Sequence, residues 1–239
     1  MIGLGTIINV ALILVGGLIG LACGRLITPR IQDALLKANG LCVLFIGIAG
    51  ALEEMLSIEE GALASGGTAM IVVSYTLGAL AGELLDLDAR MERFGTWLKS
   101  KTGNADDAAF VDGFVTASLT VCVGAMAIVG SIQDGLLGDW STLALKGALD
   151  CIIVCAMTAS MGKGCIFSAI PVAVLQGTVT VLAGFLEPIM TETALSYLSL
   201  TGNMLIFCVG VNLIWGKVFK PANMLPAVVV AVLYALVVG

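Results

Sequence analysis

Apolar and polar positions in this chain separate on the scale of whole membrane spans, not of helix turns or strands. Eight stretches, near 2–24, 38–54, 61–82, 113–133, 140–162, 164–186, 193–216 and 221–239, are dominated by apolar residues. About 20 such residues, rising about 1.5 Å each, cover the ~30 Å hydrocarbon core of a bilayer. Six of the eight contain no Asp, Glu, Lys or Arg. The segment 38–54 lengthens if the Lys37 stem lies along lipid and its ammonium reaches the headgroups. The segment 140–162 is long enough but carries Lys146 and Asp150. The pattern predicts an all-α polytopic transmembrane bundle of about eight spans, forming one integral membrane domain over 1–239.

The connections between spans alternate in charge. Arg25, Arg30 and Lys37 follow the first span, whereas 53–60 holds four glutamates and no base. Arg90, Arg93, Lys99 and Lys101 follow the third, and 134–139 again has no base. Lys163 marks the next turn, 187–192 is acidic, and Lys217 and Lys220 close the series. Basic connections face the cytoplasm, so eight crossings place both termini outside. A re-entrant 164–186 is the rival, and it would put Lys217 and Lys220 on the wrong side. The linker 86–108 has Leu87, Met91, Phe94 and Leu98 near helical spacing. It reads as an amphipathic helix on the cytoplasmic surface, or as a plain linker helix.

Composition narrows the function classes. Hydrophobic residues make up 59% and charged residues 12%, far from the ~25% charged of soluble domains. Thirty glycines suit close helix packing in lipid. The first 24 residues lack a basic start and a cleavage site, so they are expected to be a span rather than a signal peptide. No basic patch supports nucleic-acid binding. With no His, no Cys-x-x-Cys among seven cysteines and no Walker sequence, no enzyme, metal site or cofactor is expected.

The candidate chemistry lies inside the spans. Lys146 and Asp150 are four apart on the fifth helix, on one face and close enough to pair. Charges at such depth cost about 2.5–3.5 kcal/mol each on insertion scales and mark pathways more often than lipid-facing surface. The pair is either an ion pair that locks packing or a site for a solute or proton, with Asp150 as the titrating group. In the fourth span Thr116 and Thr120 share a face. Gly124, Met126, Gly130 and Ser131 follow, where two glycines allow either a helix break that frees backbone ligands or close approach of a neighbour. In the sixth span Pro171 predicts a kink before the mid-membrane Gln176, so helices four and six are expected to be interrupted. Asn9, Ser168, Asn203 and Asn212 are weaker polar candidates, for which interhelical bonding is the plainer role. Gly16, Gly20 and Gly24 form a packing stripe.

An internal repeat is also suggested. Gly5, Asn9 and Pro29 match Gly164, Ser168 and Pro188 at one offset, and Phe45-Ile46-Gly47-Ile48 echoes Cys208-Val209-Gly210-Val211. Spans one to three then correspond to spans six to eight in inverted orientation, an arrangement common in secondary transporters. The runs Phe110-Val111-Asp112-Gly113-Phe114-Val115-Thr116-Ala117-Ser118-Leu119 and Gly130-Ser131-Ile132-Gln133-Asp134-Gly135-Leu136 resemble the bacterial membrane family called domain of unknown function 554. So do Leu145-Lys146-Gly147-Ala148-Leu149-Asp150, Gly162-Lys163-Gly164, Gln176-Gly177 and Asn223-Met224-Leu225-Pro226-Ala227. The resemblance runs nearly end to end, implies a bacterial inner-membrane protein and names no substrate. Where the family is expected to have Gly-Pro-Met, this chain has Ala125. Taken together, the sequence leads to the expectation of a homodimeric secondary transporter for a small polar solute or ion. A channel and a non-transporting scaffold are the alternatives.

Overall fold

The computed structural model describes residues 2–24, 26, 28–59, 61–104, 107–122 and 125–238. The helices are α1 (Leu4–Gly24), α2 (Pro29–Met55), α3 (Thr68–Leu85), α4 (Leu87–Lys101), α5 (Phe110–Cys122), α6 (Ala125–Leu137), α7 (Ser141–Met161), α8 (Ala169–Val181), α9 (Ala183–Leu186), α10 (Glu192–Trp215), α11 (Pro221–Met224) and α12 (Pro226–Val238). A 3-10 turn (Lys163–Ser168) precedes α8, and a short antiparallel hairpin of β1 (Leu56–Glu59) and β2 (Ala62–Ser65) joins α2 to α3. Among the described residues seven helices are long and apolar enough to cross a membrane, or eight if α5 and α6 count as one bent span. The fold is thus all-α and polytopic.

Local chemistry moves several boundaries from where the hydropathy pattern put them. α2 begins at Pro29, where the fixed φ of proline suits the first helical position. Its first turns are polar, and Lys37 pairs with Asp33 at 2.7 Å. The stretch 61–67 enters the hairpin and its turn rather than the third span; Gly67 has φ +78°, a conformation that costs glycine little. Pro171 lies in the first turn of α8, directly after the 3-10 turn Lys163–Ser168. The sixth span is divided at Leu182, between α8 and α9. α5 and α6 meet at a bend of 63°; Gly124, at their junction, lies outside the described residues.

The chain forms two compact units, one from 1–39, 89–122 and 126–187 and the other from 40–88 and 188–239. In the first, α1 and α7 run parallel with backbones in contact. A Cβ at Gly16 or Gly20 would strike the carbonyl oxygens of Cys151 or Cys155, and one at Gly24 would lie 3.0 Å from that of Ala159. Small residues at four-residue spacing let two helices approach this closely. Ile13, Val121, Val154 and Val172 fill the centre of this unit. α4 does not lie free on a surface: Leu98 packs with Phe110 and Phe114 of α5, and Gly95 lets the Phe114 ring approach. In the second unit α2 is antiparallel to α10, with Gly47 against Phe207 and Gly210 against Leu44. α3 is antiparallel to α12, with Gly78 on the backbone of Ala227. Thr191 caps α10 by accepting from the Ala194 N–H at 3.2 Å.

Candidate functional site

A buried ion pair of the first unit lies on α7. Lys146 and Asp150 lie one turn apart on its buried face, with Leu143 one turn before and Val154 one turn after. Lys146 Nζ donates to Asp150 Oδ2 at 2.5 Å and to the Val121 carbonyl at 2.8 Å. The two side chains are 8% and 5% exposed. Val121 belongs to the last turn of α5, whose carbonyls have no partner within their own helix. The ammonium therefore caps a helix C-terminus, where the backbone dipole favours positive charge, and neutralises a carboxylate at the same time.

α1 supplies the opposite wall. A Cβ at Gly147 would lie 2.9 Å from Asn9 Cα, so the absent side chain brings α1 onto α7 at the level of the pair. Asn9 is fully buried and near enough to Asp150 to interact with its carboxyl, yet neither of its amide atoms makes a well-formed hydrogen bond. The same holds for both amide atoms of Gln176 on α8 and for the Ser168 hydroxyl, both residues being buried. Thr6, Thr158, Thr180, one oxygen of Asp134 and the amide nitrogen of the half-buried Asn39 complete a set of eight such side chains in this unit. Among the described residues of the second unit, buried unpaired side-chain atoms occur at Ser74 and Asn223. An unmet buried polar group costs about 1–3 kcal/mol, and most of these groups belong to the first unit.

The remaining sequence candidates fall in different places. Thr120 and Ser131 are buried, but each donates back to its own helix, Thr120 to the Thr116 carbonyl at 2.8 Å and Ser131 to that of Ala127 at 2.6 Å. Thr116 is half-buried. Gly130 packs against α7, where a Cβ would meet Leu143 at 2.9 Å. Met126 is 37% exposed and stands apart from the pair. In the second unit Asn212 binds its own helix end, accepting from the N–H groups of Val218 and Phe219. Asn203 donates to Ser199 at 3.3 Å.

One charged residue of this region was assigned by sequence to an external loop. Asp134 is fully buried in the last turn of α6 and accepts the Gly5 N–H, in the first turn of α1, at 3.0 Å. An aspartate from another helix thus caps α1. The available signal was Gly130 and Asp134 at four-residue spacing, with Leu136 and Leu137 carrying the helix on beyond Asp134. Cys122, half-buried at the end of α5, also lies close enough to sense both Lys146 and Asp150. No group of three or more metal-ligating side chains occurs among the described residues.

A buried ion pair on a long apolar helix, in a chain with seven or eight candidate spans among its described residues, defines an integral membrane protein. A family profile described as "Protein of unknown function (DUF554)" matches residues 4–236, and the chain belongs to that family. It is similar to the uncharacterized membrane protein YdfK of Bacillus subtilis (strain 168), at 27% identity over 226 residues, covering 95% of this chain and 93% of that one. It is similar also to the uncharacterized protein YqgA of Escherichia coli (strain K12), at 26% identity over 235 residues, covering 95% and 94%. No solved structure matches.

Proposed function

We propose that this protein is a secondary transporter of a small polar solute or ion in the bacterial cytoplasmic membrane, with Lys146 and Asp150 at its binding site. The observation that carries the reading is the buried pair on α7 together with the unpaired Asn9, Ser168 and Gln176 of the same unit. A helix face designed only for packing satisfies its polar groups or replaces them with apolar ones. Here several remain open at once, as in a site that exchanges its contents. Lys146 joins the pair to the C-terminal end of α5 through the Val121 carbonyl, so a guest that engages either charge would act directly on that helix end. Interrupted helices serve this purpose in transporters.

Helix directions support the topology that goes with this reading. Parallel α1 and α7 fit an odd number of crossings between them. With α2 and α3 crossing once each, the α5–α6 segment crosses as well. Antiparallel α2 and α10 then require 163–186 to cross. Eight crossings put both termini on one side, and the basic connections make that side the outside. The antiparallel packing of α2 on α10 and of α3 on α12 also favours the inverted correspondence of spans one to three with six to eight. A homodimer completes the proposal.

The test is uptake into proteoliposomes of a panel of radiolabelled small polar solutes under an imposed proton or sodium gradient. A carrier accumulates a solute against its gradient, and Asp150→Asn abolishes the coupling. Equilibration without accumulation would identify a channel, and no movement of any solute would identify a scaffold. Unchanged accumulation in Asp150→Asn would remove the pair from the site.

A further inference from the structure

The pair also indicates which class of solute the site takes, an inference that rests on the transporter reading. The Lys146 ammonium lies in a cradle made of one carboxylate oxygen, Asp150 Oδ2, and one helix-terminal carbonyl, Val121 O. That cradle fits any primary ammonium, and Lys146 occupies it from within the chain. Charge balance restricts what can replace it. A solute bearing only a positive charge would take the cradle and leave the Lys146 ammonium buried without a partner. A solute bearing only a negative charge would draw Lys146 away and leave Asp150 unpaired. Stranding one member of a buried pair is strongly unfavourable, which works against binding in both cases. A zwitterion avoids both costs, because its ammonium enters the cradle while its carboxylate receives the displaced Lys146.

We propose that the solute is a small zwitterion carrying a primary ammonium and a carboxylate, the chemistry of a neutral amino acid. Lys146 keeps the empty site neutral by standing in for the solute's ammonium. Lys146 has three N–H donors and two of them are engaged in the resting pair. The Asn9 amide, held against Gly147 beside the Asp150 carboxyl, offers a further donor and acceptor to a guest with both polarities. Exchange of partners moves no net charge into the bundle and breaks no covalent bond.

The experiment is thermal unfolding of the purified full-length protein in detergent, with each neutral amino acid as ligand. Propionate, propylamine, sodium chloride and potassium chloride serve as single-charge controls. The expected result is a saturable rise in Tm with at least one amino acid and none with propionate or propylamine. In Lys146→Met/Asp150→Leu the rise should be lost. The wild-type comparison stands without the variant, so the proposal stays testable even if the variant does not fold. Saturable stabilisation by a singly charged solute or alkali cation, with none by amino acids, overturns the zwitterion and leaves the carrier intact. A rise that persists in the folded double variant overturns the site. Failure of the carrier itself would be read separately, as absence of accumulation across the whole solute panel.

Discussion

Breaking the Lys146–Asp150 pair from one side should cost far more than removing it whole. The two charges meet at 2.5 Å with side chains 8% and 5% exposed, so neither regains water when its partner is lost. Lys146→Met leaves a buried carboxylate and Asp150→Leu a buried ammonium, each destabilising by about 3–5 kcal/mol. Lys146→Met also strips the Val121 carbonyl of its donor, adding about 1 kcal/mol. The double variant strands no charge. It should lie only about 1 kcal/mol below wild type, the part that belongs to Val121, since apolar replacement of a buried pair is often close to neutral. Equilibrium unfolding of the four proteins by dodecyl sulfate in mixed micelles, followed by circular dichroism, measures the cycle. The singles should each fall well below the double. A double variant as damaged as the two singles added together would refute the reasoning, because it would mean the side chains do not compensate each other in the folded bundle.

Other consequences are more local. Gly20→Leu must push α1 off the Cys155 carbonyl and should lower stability by at least about 2 kcal/mol. Gly177→Ala meets nothing within 4 Å inside α8 and should raise it by about 0.5–1 kcal/mol; the same unfolding assay reads both, and equal effects would contradict the parallel seam. Asp134→Ala removes the acceptor for the Gly5 N–H and should cost about 1–2 kcal/mol. Asp134→Asn keeps an oxygen there and should cost less than half as much, so indistinguishable variants would deny the cap. At the exposed start of α7, hydrogen bonds from the Ser141 hydroxyl and N–H hold the Asp139 carboxyl below its ordinary range. A depressed carboxylate stabilises the fold at neutral pH and loses that contribution as pH falls through its lowered value. Ser141→Ala should move the Asp139 midpoint upward in a carboxyl NMR titration, and an unmoved midpoint would assign the shift elsewhere.

The sequence by itself determined the class of fold and the position of its deepest charges. Lipid imposes one requirement on every span, that about 20 residues be apolar and close their own hydrogen bonds, and this is legible from composition and length alone. Lys146 and Asp150 were legible too, because two charges four residues apart in an apolar stretch have few places to go. Which polar groups remained open was decided by tertiary structure. Thr120, Ser131 and Asn9 are equivalent on paper, yet the first two turn back to their own helices while Asn9, opposite Gly147, has no such outlet. Asp134 read as a loop acid, since hydropathy does not reveal that α1 begins beside it and offers a bare N–H. The third partner of the central pair, the Val121 carbonyl, carries no sequence signal at all, because every residue has a carbonyl. Only the end of a helix, placed by its neighbours, makes that one available.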